Sequence, residues 1–280
     1  MKESISKLRS ALRPLYGNQE TEAIIRLVFS YLKGWNLTDM LIHSDDILSP
    51  YIKQEIEKIT RRLLNYEPIQ YITGEARFHG LNLHIKPGVL IPRPETDELV
   101  DIIVKDNEHI PDLKILDLCT GSGCIAIALA RSLNFPIITA IDYSPTAVET
   151  AKENASALKC DLKIIQEDIF KWVPCGSFDI IVSNPPYVDI SEAKEMLPNV
   201  LNYEPHDAIF VPADKPLIFY ERIADIGIQS LTEHGLLYLE INPIYALRLQ
   251  DLLKSKGYEN ICIINDSFGK KRFISCSKSS

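Results

Sequence analysis

Residues 115–123 read Ile-Leu-Asp-Leu-Cys-Thr-Gly-Ser-Gly, an apolar run that ends in a glycine-rich turn. A helical segment follows directly, near residues 123–132. In an open α/β sheet, ligands bind beyond the carboxyl ends of the strands, at such a turn. Glycine lets the backbone approach a ligand closely, and a helix N-terminus favours a negatively charged group. The stretch lacks the full G-x-G-x-x-G pattern of a dinucleotide site, so it predicts a ligand-binding turn without naming the ligand.

Apolar strands alternate with helices on both sides of this turn. The pattern predicts strands over 113–118, 137–141, 162–165, 178–183 and 235–241, with a closing pair over 257–264 and 272–276. Helices are expected near 123–132, 145–157, 215–232 and 243–256. Nearly continuous apolar strands separated by helices predict an α/β fold, with a parallel sheet covered on both faces.

The N-terminal part of the chain has a different pattern. Apolar residues recur at helical spacing through residues 1–70, and Ser49 followed by Pro50 is typical of a helix start. Residues 71–92 alternate apolar and polar residues, which predicts a hairpin connector. Prolines interrupt residues 92–96, and an amphipathic helix is expected to begin at Thr96. We therefore predict a helical domain over 1–70, the connector over 71–92 and an α/β domain over 93–280.

Charge differs between the same parts of the chain. The protein has 280 residues and a formal net charge of −8. Residues 1–70 carry ten Lys or Arg and nine Asp or Glu, whereas residues 71–280 carry twenty and twenty-nine. Proteins that bind a phosphate backbone broadly usually have a basic face, so this balance argues against direct DNA binding.

Targeting and metal signals are missing from the sequence. No run approaches the roughly 20 apolar residues that span a bilayer, and the first ten residues lack the apolar core of a signal peptide. The six cysteines form no C-x-x-C pair and no metal-ligand spacing with histidine. We expect a cytoplasmic monomer without a metal or a membrane partner.

Acidic residues follow the next two predicted strands. Asp142 ends a strand nineteen residues after Gly123. A carboxylate in that place can accept hydrogen bonds from both hydroxyls of a ribose, although it can also cap the helix that begins at Ser144-Pro145. Asp168 and Ile169 follow the third strand, where an adenine could pack on the apolar side chain and donate its exocyclic amine to the carboxylate.

The segment Asn184-Pro185-Pro186-Tyr187 follows the fourth predicted strand. Two consecutive prolines fix the backbone and lack N–H groups, so carbonyl oxygens are left free to accept. Asn184 adds a side-chain carbonyl oxygen, and Tyr187 can pack on a planar group. The segment predicts a site for a planar NH2 group, and a rigid strand-end turn is the alternative.

Several motifs together resemble the PrmC/HemK family of peptide chain release factor N5-glutamine methyltransferases. They are DLCTGSG over 117–123, the acid at 142, NPPY over 184–187, PIQYITG over 68–74, Phe78, LIPRPET over 90–96 and YEP over 203–205. The resemblance covers about residues 5–275. It implies a Rossmann-like class I methyltransferase sheet preceded by a helical domain that grips the substrate. It further implies methyl transfer from S-adenosyl-L-methionine to the glutamine of the GGQ motif in release factors, with S-adenosyl-L-homocysteine as product.

The resemblance also implies roles for single residues. The methionine part of the cofactor would be held by Asp117 and the turn residues Cys119, Thr120, Gly121, Ser122 and Gly123. Asp142 would bind the ribose, and Asp168 with Ile169 the adenine. The glutamine would be received by Asn184, Pro185, Pro186 and Tyr187, of which Asn184, Pro185 and Tyr187 are the catalytic candidates and Asn184 also contacts the cofactor. Arg93 is expected to reach the cofactor carboxylate or to pair with Glu95.

Four departures from the family pattern stand out. Cys119 replaces a common glycine, so we expect the turn to avoid positive φ there. Ile169 stands where an aromatic residue is often found. Residues 211–216 replace a glycine-rich stretch, and Asn242 replaces a glycine. We expect these last two departures to touch no residue with a chemical role.

Two other functions compete with this interpretation. A DNA adenine N6-methyltransferase also uses NPPY, because adenine presents an NH2 group, but it needs a flipped base and a basic groove. A non-catalytic cofactor-binding protein is the second alternative. Such a protein has no need of a site for a planar amine, so the intact NPPY segment argues against it.

Overall fold

A computed structural model describes residues 1–279, and backbone contacts divide them into two units. The first unit comprises Met1–Glu75 and Leu197–Tyr203, and the second comprises Ala76–Met196 and the chain from Glu204 onward. The helices are α1 (Lys2–Lys33), α2 (Leu37–Ile42), α3 (Pro50–Leu64), α4 (Ile69–Thr73), α5 (Pro94–Asn107), α6 (Cys124–Ser132), α7 (Pro145–Ala157), α8 (Pro198–Tyr203), α9 (Ile218–Ser230) and α10 (Ala246–Ser255). The strands are β1 (Glu75–Phe78), β2 (Leu81–His84), β3 (Lys114–Leu118), β4 (Ile137–Asp142), β5 (Lys163–Gln166), β6 (Phe178–Ser183), β7 (Val188–Asp189), β8 (Phe210–Val211), β9 (Leu231–Glu240), β10 (Tyr258–Asn265) and β11 (Lys271–Lys278).

The first unit is helical, as the sequence pattern predicts. Its core is formed by apolar side chains that recur at helical spacing, among them Leu12, Val28, Phe29 and Leu63. The start of α3 is as expected, because the Ser49 hydroxyl accepts a hydrogen bond from the Ile52 N–H at 3.3 Å and Pro50 lies in the first turn.

The extended connector begins later than the predicted residue 71. Residues 69–73 form α4, which starts directly after Pro68 and ends where Gly74 takes a positive φ of 74°. The Gly74 N–H donates to the Gln70 carbonyl, which closes the helix. The hairpin of β1 and β2 follows, with Leu83 buried between exposed Asn82 and His84, as the alternation predicts.

Seven strands of the second unit form one sheet in the order β10-β11-β9-β6-β3-β4-β5. Strand β3 pairs in parallel with β4 and β6, β4 with β5, and β6 with β9. Strands β10 and β11 form the antiparallel end of the sheet. The predicted Rossmann-like α/β class is therefore confirmed.

The register of the central strands defines one edge of this sheet. Leu118 at the end of β3 pairs with Ile141 on one side and with Ser183 on the other. The residues that follow, Cys119 and Asn184, therefore leave the sheet together with Asp142 at the carboxyl end of β4. Chain order reverses around β3, and ligands bind at such a switch point.

Two other differences from the predicted elements have local causes. Helix α5 begins at Pro94 and not at Thr96, because proline fits the first helical turn, where its missing N–H leaves no bond unmade. The parallel pair of β7 and β8 was not predicted, since each strand has only two residues and gives no periodic signal. Within residues 1–279, no helix is long and apolar enough to cross a membrane.

Candidate active site

A cavity of about 360 Å³ opens at the carboxyl ends of β3, β4 and β6. Its size lies in the range of small-molecule sites, which is roughly 300–1,000 Å³. Of the residues predicted to bind a cofactor or substrate, the structure brings seven to its wall: Cys119, Gly121, Asp142, Asp168, Ile169, Asn184 and Pro186.

Asp142 connects the ends of two strands through backbone bonds. Its carboxylate accepts from the Gly121 N–H at 2.8 Å and from the Ser144 N–H at 2.9 Å. Burial raises the pKa of Asp142, although these backbone donors oppose the shift. The side chain of Ser144 caps α7 by accepting from the Ala147 N–H, so Asp142 is not needed as that cap.

The turn at Cys119 differs from the prediction. Cys119 has a φ of 61°, in the left-handed region, so the expectation that it avoids positive φ is wrong. The next N–H, on Thr120, still donates to the Ile141 carbonyl at 3.0 Å, so the chain stays bonded to β4 as it enters the turn. A β-carbon in this conformation costs about 1–2 kcal/mol. Burial raises the pKa of the Cys119 thiol, which keeps it protonated.

The two glycines of the turn are required for different reasons. A β-carbon at Gly121 would meet no atom within 4 Å, so its φ of 58° alone favours glycine. Gly123 also has a positive φ, of 81°, but a β-carbon there would lie 3.1 Å from the β-carbon of Ala151. Gly121 therefore opens toward the cavity, whereas Gly123 lets α6 and α7 approach each other.

Four predicted cofactor residues, one in β3 and three in the turn itself, do not line the cavity. Asp117, Thr120, Ser122 and Gly123 are all buried. One oxygen of Asp117 accepts from the Thr120 hydroxyl at 2.6 Å, and the other has no hydrogen-bond partner among residues 1–279. Burial raises the pKa of Asp117 to about 7. Their direct contact with the cofactor stays a prediction, and their observed contacts hold the turn in place.

The far end of the cavity contains an aromatic residue that sequence reasoning missed. Ile169 is 4% exposed and packs in the core, whereas Phe170 is 42% exposed and lines the cavity. The Phe170 ring lies 5.0 Å from the ring of Phe219 in an edge-on contact. Asp168 accepts from the Phe170 N–H at 3.0 Å and pairs with Lys171 at 3.3 Å. The aromatic surface is thus present one position later than the family pattern suggests.

A second, smaller cavity of about 130 Å³ lies on the other side of Asn184. Pro185 and Tyr187 line it, and Asn184 lines both cavities. The Asn184 amide nitrogen donates to the Thr96 hydroxyl at 3.0 Å, and Thr96 donates to Glu240 at 2.6 Å. The Tyr187 hydroxyl donates to the other oxygen of Glu240 at 2.9 Å. No pattern in the sequence predicted a role for Glu240.

Arg93 lines the smaller cavity, and Asn242 bonds directly to the Asn184–Tyr187 segment. Arg93 pairs with buried Glu204 at 2.7 Å, so of its two alternatives the pairing with Glu95 is wrong, and contact with the cofactor carboxylate stays a prediction. Glu204 also accepts from the Ile91 N–H at 3.1 Å, which gives the guanidinium a fixed partner. The Asn242 amide donates to the Tyr187 carbonyl at 3.2 Å. The expectation that Asn242 touches no residue with a chemical role is therefore also wrong.

The described residues, 1–279, contain no group of three or more His, Cys, Asp or Glu that could hold a metal ion. The chemistry available at the site is that of carboxylate, amide, hydroxyl and aromatic groups. Those groups suit the binding of a nucleoside and a planar amine.

Comparison with known proteins gives matches across the chain. The model of the methyltransferase small domain matches residues 81–202, and the model of the PrmC N-terminal domain matches residues 3–74. A methyltransferase from Pyrococcus furiosus has a similar fold, with a TM-score of 0.55 at 19% identity, over 80% of this chain and 99% of that one.

Two relatives are similar over almost the whole length. A release factor glutamine methyltransferase from Bacteroides thetaiotaomicron is 42% identical over 97% of this chain and 98% of the relative. One from Flavobacterium psychrophilum is 38% identical over 94% of both chains. These matches confirm the resemblance seen in the motifs, and the chain belongs to the family of release factor glutamine methyltransferases.

Proposed function

We propose that the protein transfers a methyl group from S-adenosyl-L-methionine to the side-chain amide nitrogen of the GGQ glutamine in peptide chain release factors. The observation that carries the proposal is the place of Asn184, at the wall shared by a nucleoside-sized cavity and a smaller one. Membership of the family supports the same reaction.

The residues around the larger cavity fit this cofactor. Asp142 offers carboxylate oxygens to the ribose hydroxyls, and Phe170 offers an apolar ring to the adenine. Gly121 has no side chain, so the backbone of the turn is open to the methionine part. When bound, the cofactor supplies an electrophilic methyl group on a sulfonium sulfur.

Asn184 and Pro185 orient the substrate. An amide nitrogen is a poor nucleophile because its lone pair is delocalised into the carbonyl. The Asn184 side-chain oxygen and the Pro185 carbonyl oxygen accept hydrogen bonds from its two N–H groups. These bonds favour the transition state, in which the nitrogen gains positive charge. A carbon–nitrogen bond forms as the carbon–sulfur bond breaks, and the nitrogen then loses one proton to water. No general base is needed before transfer, because the methylated amide nitrogen becomes strongly acidic. Positioning supplies much of the remaining rate enhancement.

The substrate proposal extends to the rest of the chain. We propose that the helical domain predicted over residues 1–70 grips the release factor and that the domain predicted over residues 93–280 carries out catalysis. The excess of acidic residues over 71–280 disfavours direct contact with DNA. We propose a cytoplasmic monomer, since release factors act in translation there.

Mass spectrometry of a release factor tests the function. The factor is incubated with the protein and S-adenosyl-L-methionine, digested and sequenced by fragmentation. We expect one added methyl group on the GGQ glutamine, and none with the Asn184→Ala variant over the same time. Transfer to adenine in duplex DNA instead would favour the DNA methyltransferase. Cofactor binding without transfer to either would favour the non-catalytic alternative.

A further inference from the structure

Two hydrogen bonds connect Asn184 to Glu240 through Thr96. The Asn184 Nδ2 lies 3.0 Å from the Thr96 Oγ1, which lies 2.6 Å from the Glu240 Oε2. Thr96 is on α5 and Glu240 ends β9, so neither belongs to the segment that they hold. Both side chains are buried, at 2% and 1% exposure.

The direction of each bond is determined by the number of protons available. A threonine hydroxyl has one proton, and Glu240 accepts at both of its oxygens, from the hydroxyls of Thr96 and Tyr187. Thr96 therefore donates to Glu240 and can only accept from Asn184. This requires the NH2 group of Asn184 to face Thr96, because the reverse orientation would bring two acceptors together. The Asn184 side-chain oxygen consequently points away from Thr96 and can accept a hydrogen bond from a group bound in the cavities.

We infer that Thr96 and Glu240 are positioning residues that fix the Asn184 amide with its oxygen toward the substrate nitrogen. The inference rests on the proposed function and adds two residues to it. Glu240 also accepts from the Tyr187 hydroxyl at 2.9 Å, so its two oxygens hold the first and last residues of the Asn184–Tyr187 segment.

Fold stability alone gives a poor reason for Glu240. Burying a carboxylate is costly, and apolar residues of similar volume are often at least as stable in such places. Among the described residues, no lysine or arginine forms an ion pair with Glu240, and the nearby Arg272 pairs with Asp266 at 3.3 Å. The side-chain bonds of Glu240 go to Thr96 and Tyr187. Polar groups arranged in this way are typical of sites that need one fixed orientation.

A matched pair of substitutions at Thr96 separates the hydroxyl from the shape of the side chain. Thr96→Val keeps the shape and removes the hydroxyl, whereas Thr96→Ser keeps the hydroxyl. We expect Thr96→Val to lower kcat for release factor methylation about tenfold or more, the scale of one lost hydrogen bond to a catalytic group. KM for the release factor and the calorimetric Kd for the cofactor should change less than threefold, and Thr96→Ser should stay within threefold of wild-type kcat.

Thr232→Val is the control for these variants. The Thr232 hydroxyl also donates to a carboxylate, that of Asp179 at 3.2 Å, but it lies near the opposite end of β9. Glu240→Met tests the next residue in the chain of bonds, and we expect its kcat to fall at least as far as that of Thr96→Val. The melting temperature shows whether Glu240→Met folds. The Thr96 pair tests the inference in either case.

A double-mutant cycle tests whether Thr96 acts through Asn184. If it does, Thr96→Val combined with Asn184→Ala is as slow as Asn184→Ala alone, because there is no amide left to orient. The inference is overturned if the double variant loses kcat by the product of the two single losses, or if Thr96→Val has a normal kcat. Either result leaves the proposed function intact. A wild-type protein that leaves the glutamine unmethylated overturns the proposed function itself.

Discussion

The cofactor-facing turn of residues 119–123 and the Asn184–Tyr187 segment follow adjacent strands but are held in place by different kinds of bond. Backbone N–H groups fix the turn, since those of Thr120 and Gly121 bond to the end of β4. Side chains fix the segment, with Thr96 lying 88 positions from Asn184 and Glu240 lying 53 positions from Tyr187. The first region is therefore determined by strand register, and the second by tertiary contacts between distant residues.

This difference implies a division of work between the two regions. Changes along the wall of the larger cavity should weaken cofactor binding, whereas changes at the segment should slow transfer to a bound substrate. Substitutions at three positions test the division, and substitutions at a fourth position test the strain in the turn.

Asp142→Ala should have the largest effect of the four, on cofactor affinity. The variant removes the acceptor proposed for the ribose and the partner of the Gly121 N–H. Hydrogen bonds to charged groups contribute about 1.5–3 kcal/mol each, so we expect the Kd for S-adenosyl-L-methionine to rise on the order of 100-fold. Isothermal titration calorimetry measures it. An unchanged Kd would remove Asp142 from the cofactor site.

Phe170→Ala should weaken cofactor binding about tenfold. Stacking of a base on an aromatic side chain contributes about 1–3 kcal/mol, and the Phe170 ring is exposed on the cavity wall, beside the end of the cavity that Asp168 lines. The matched control is Phe135→Ala, because the Phe135 ring is 83% exposed and lines no part of the cavity. Equal affinities for the two variants in the same titration would contradict a role for Phe170.

Tyr187→Phe should act on transfer and leave cofactor binding unchanged. The variant keeps the ring but removes the hydroxyl that donates to Glu240. One such bond is worth about 1 kcal/mol, so we expect kcat to fall about fivefold. Steady-state kinetics with saturating cofactor measures it. A weaker cofactor affinity with normal kcat would reverse the assignment of the two regions.

Substitutions at Cys119 should give the smallest effect and test the strain in the turn. Glycine adopts positive φ freely, whereas alanine pays for its β-carbon. The two variants are compared with each other because neither retains the thiol. We expect Cys119→Gly to be more stable than Cys119→Ala by about 1 kcal/mol. Urea unfolding of both proteins measures the difference. At an ordinary φ the order is reversed, so a more stable alanine variant would refute the positive φ.

The sequence predicted the parts of the molecule whose signals are local. Apolar periodicity and neighbouring residues were enough to predict strands β3, β4 and β6, the turn after β3 and the acid at Asp142. The shift from Ile169 to Phe170 was missed because side-chain direction after a strand depends on the turn that follows. The presence of phenylalanine directly after Ile169 was the available signal.

The missed contacts are all between residues far apart in the chain. Glu204 carries no mark that would pair it with Arg93, and Asn242 carries none that would connect it to Tyr187. Only the folded sheet brings Glu240 beside α5. The positive φ of Cys119 was also misjudged, because the sequence alone does not show the direction in which the chain leaves β3.

Asn184 lines the proposed cofactor cavity, but we expect it to matter more for methyl transfer than for cofactor affinity. A single-turnover measurement of glutamine methylation by Asn184→Ala, with cofactor and release factor both saturating, tests it most directly. We predict a rate at least about 100-fold below that of the wild-type protein, the scale of losing one preorganised catalytic group, at a cofactor Kd changed far less. A rate near that of the wild-type protein would contradict the account.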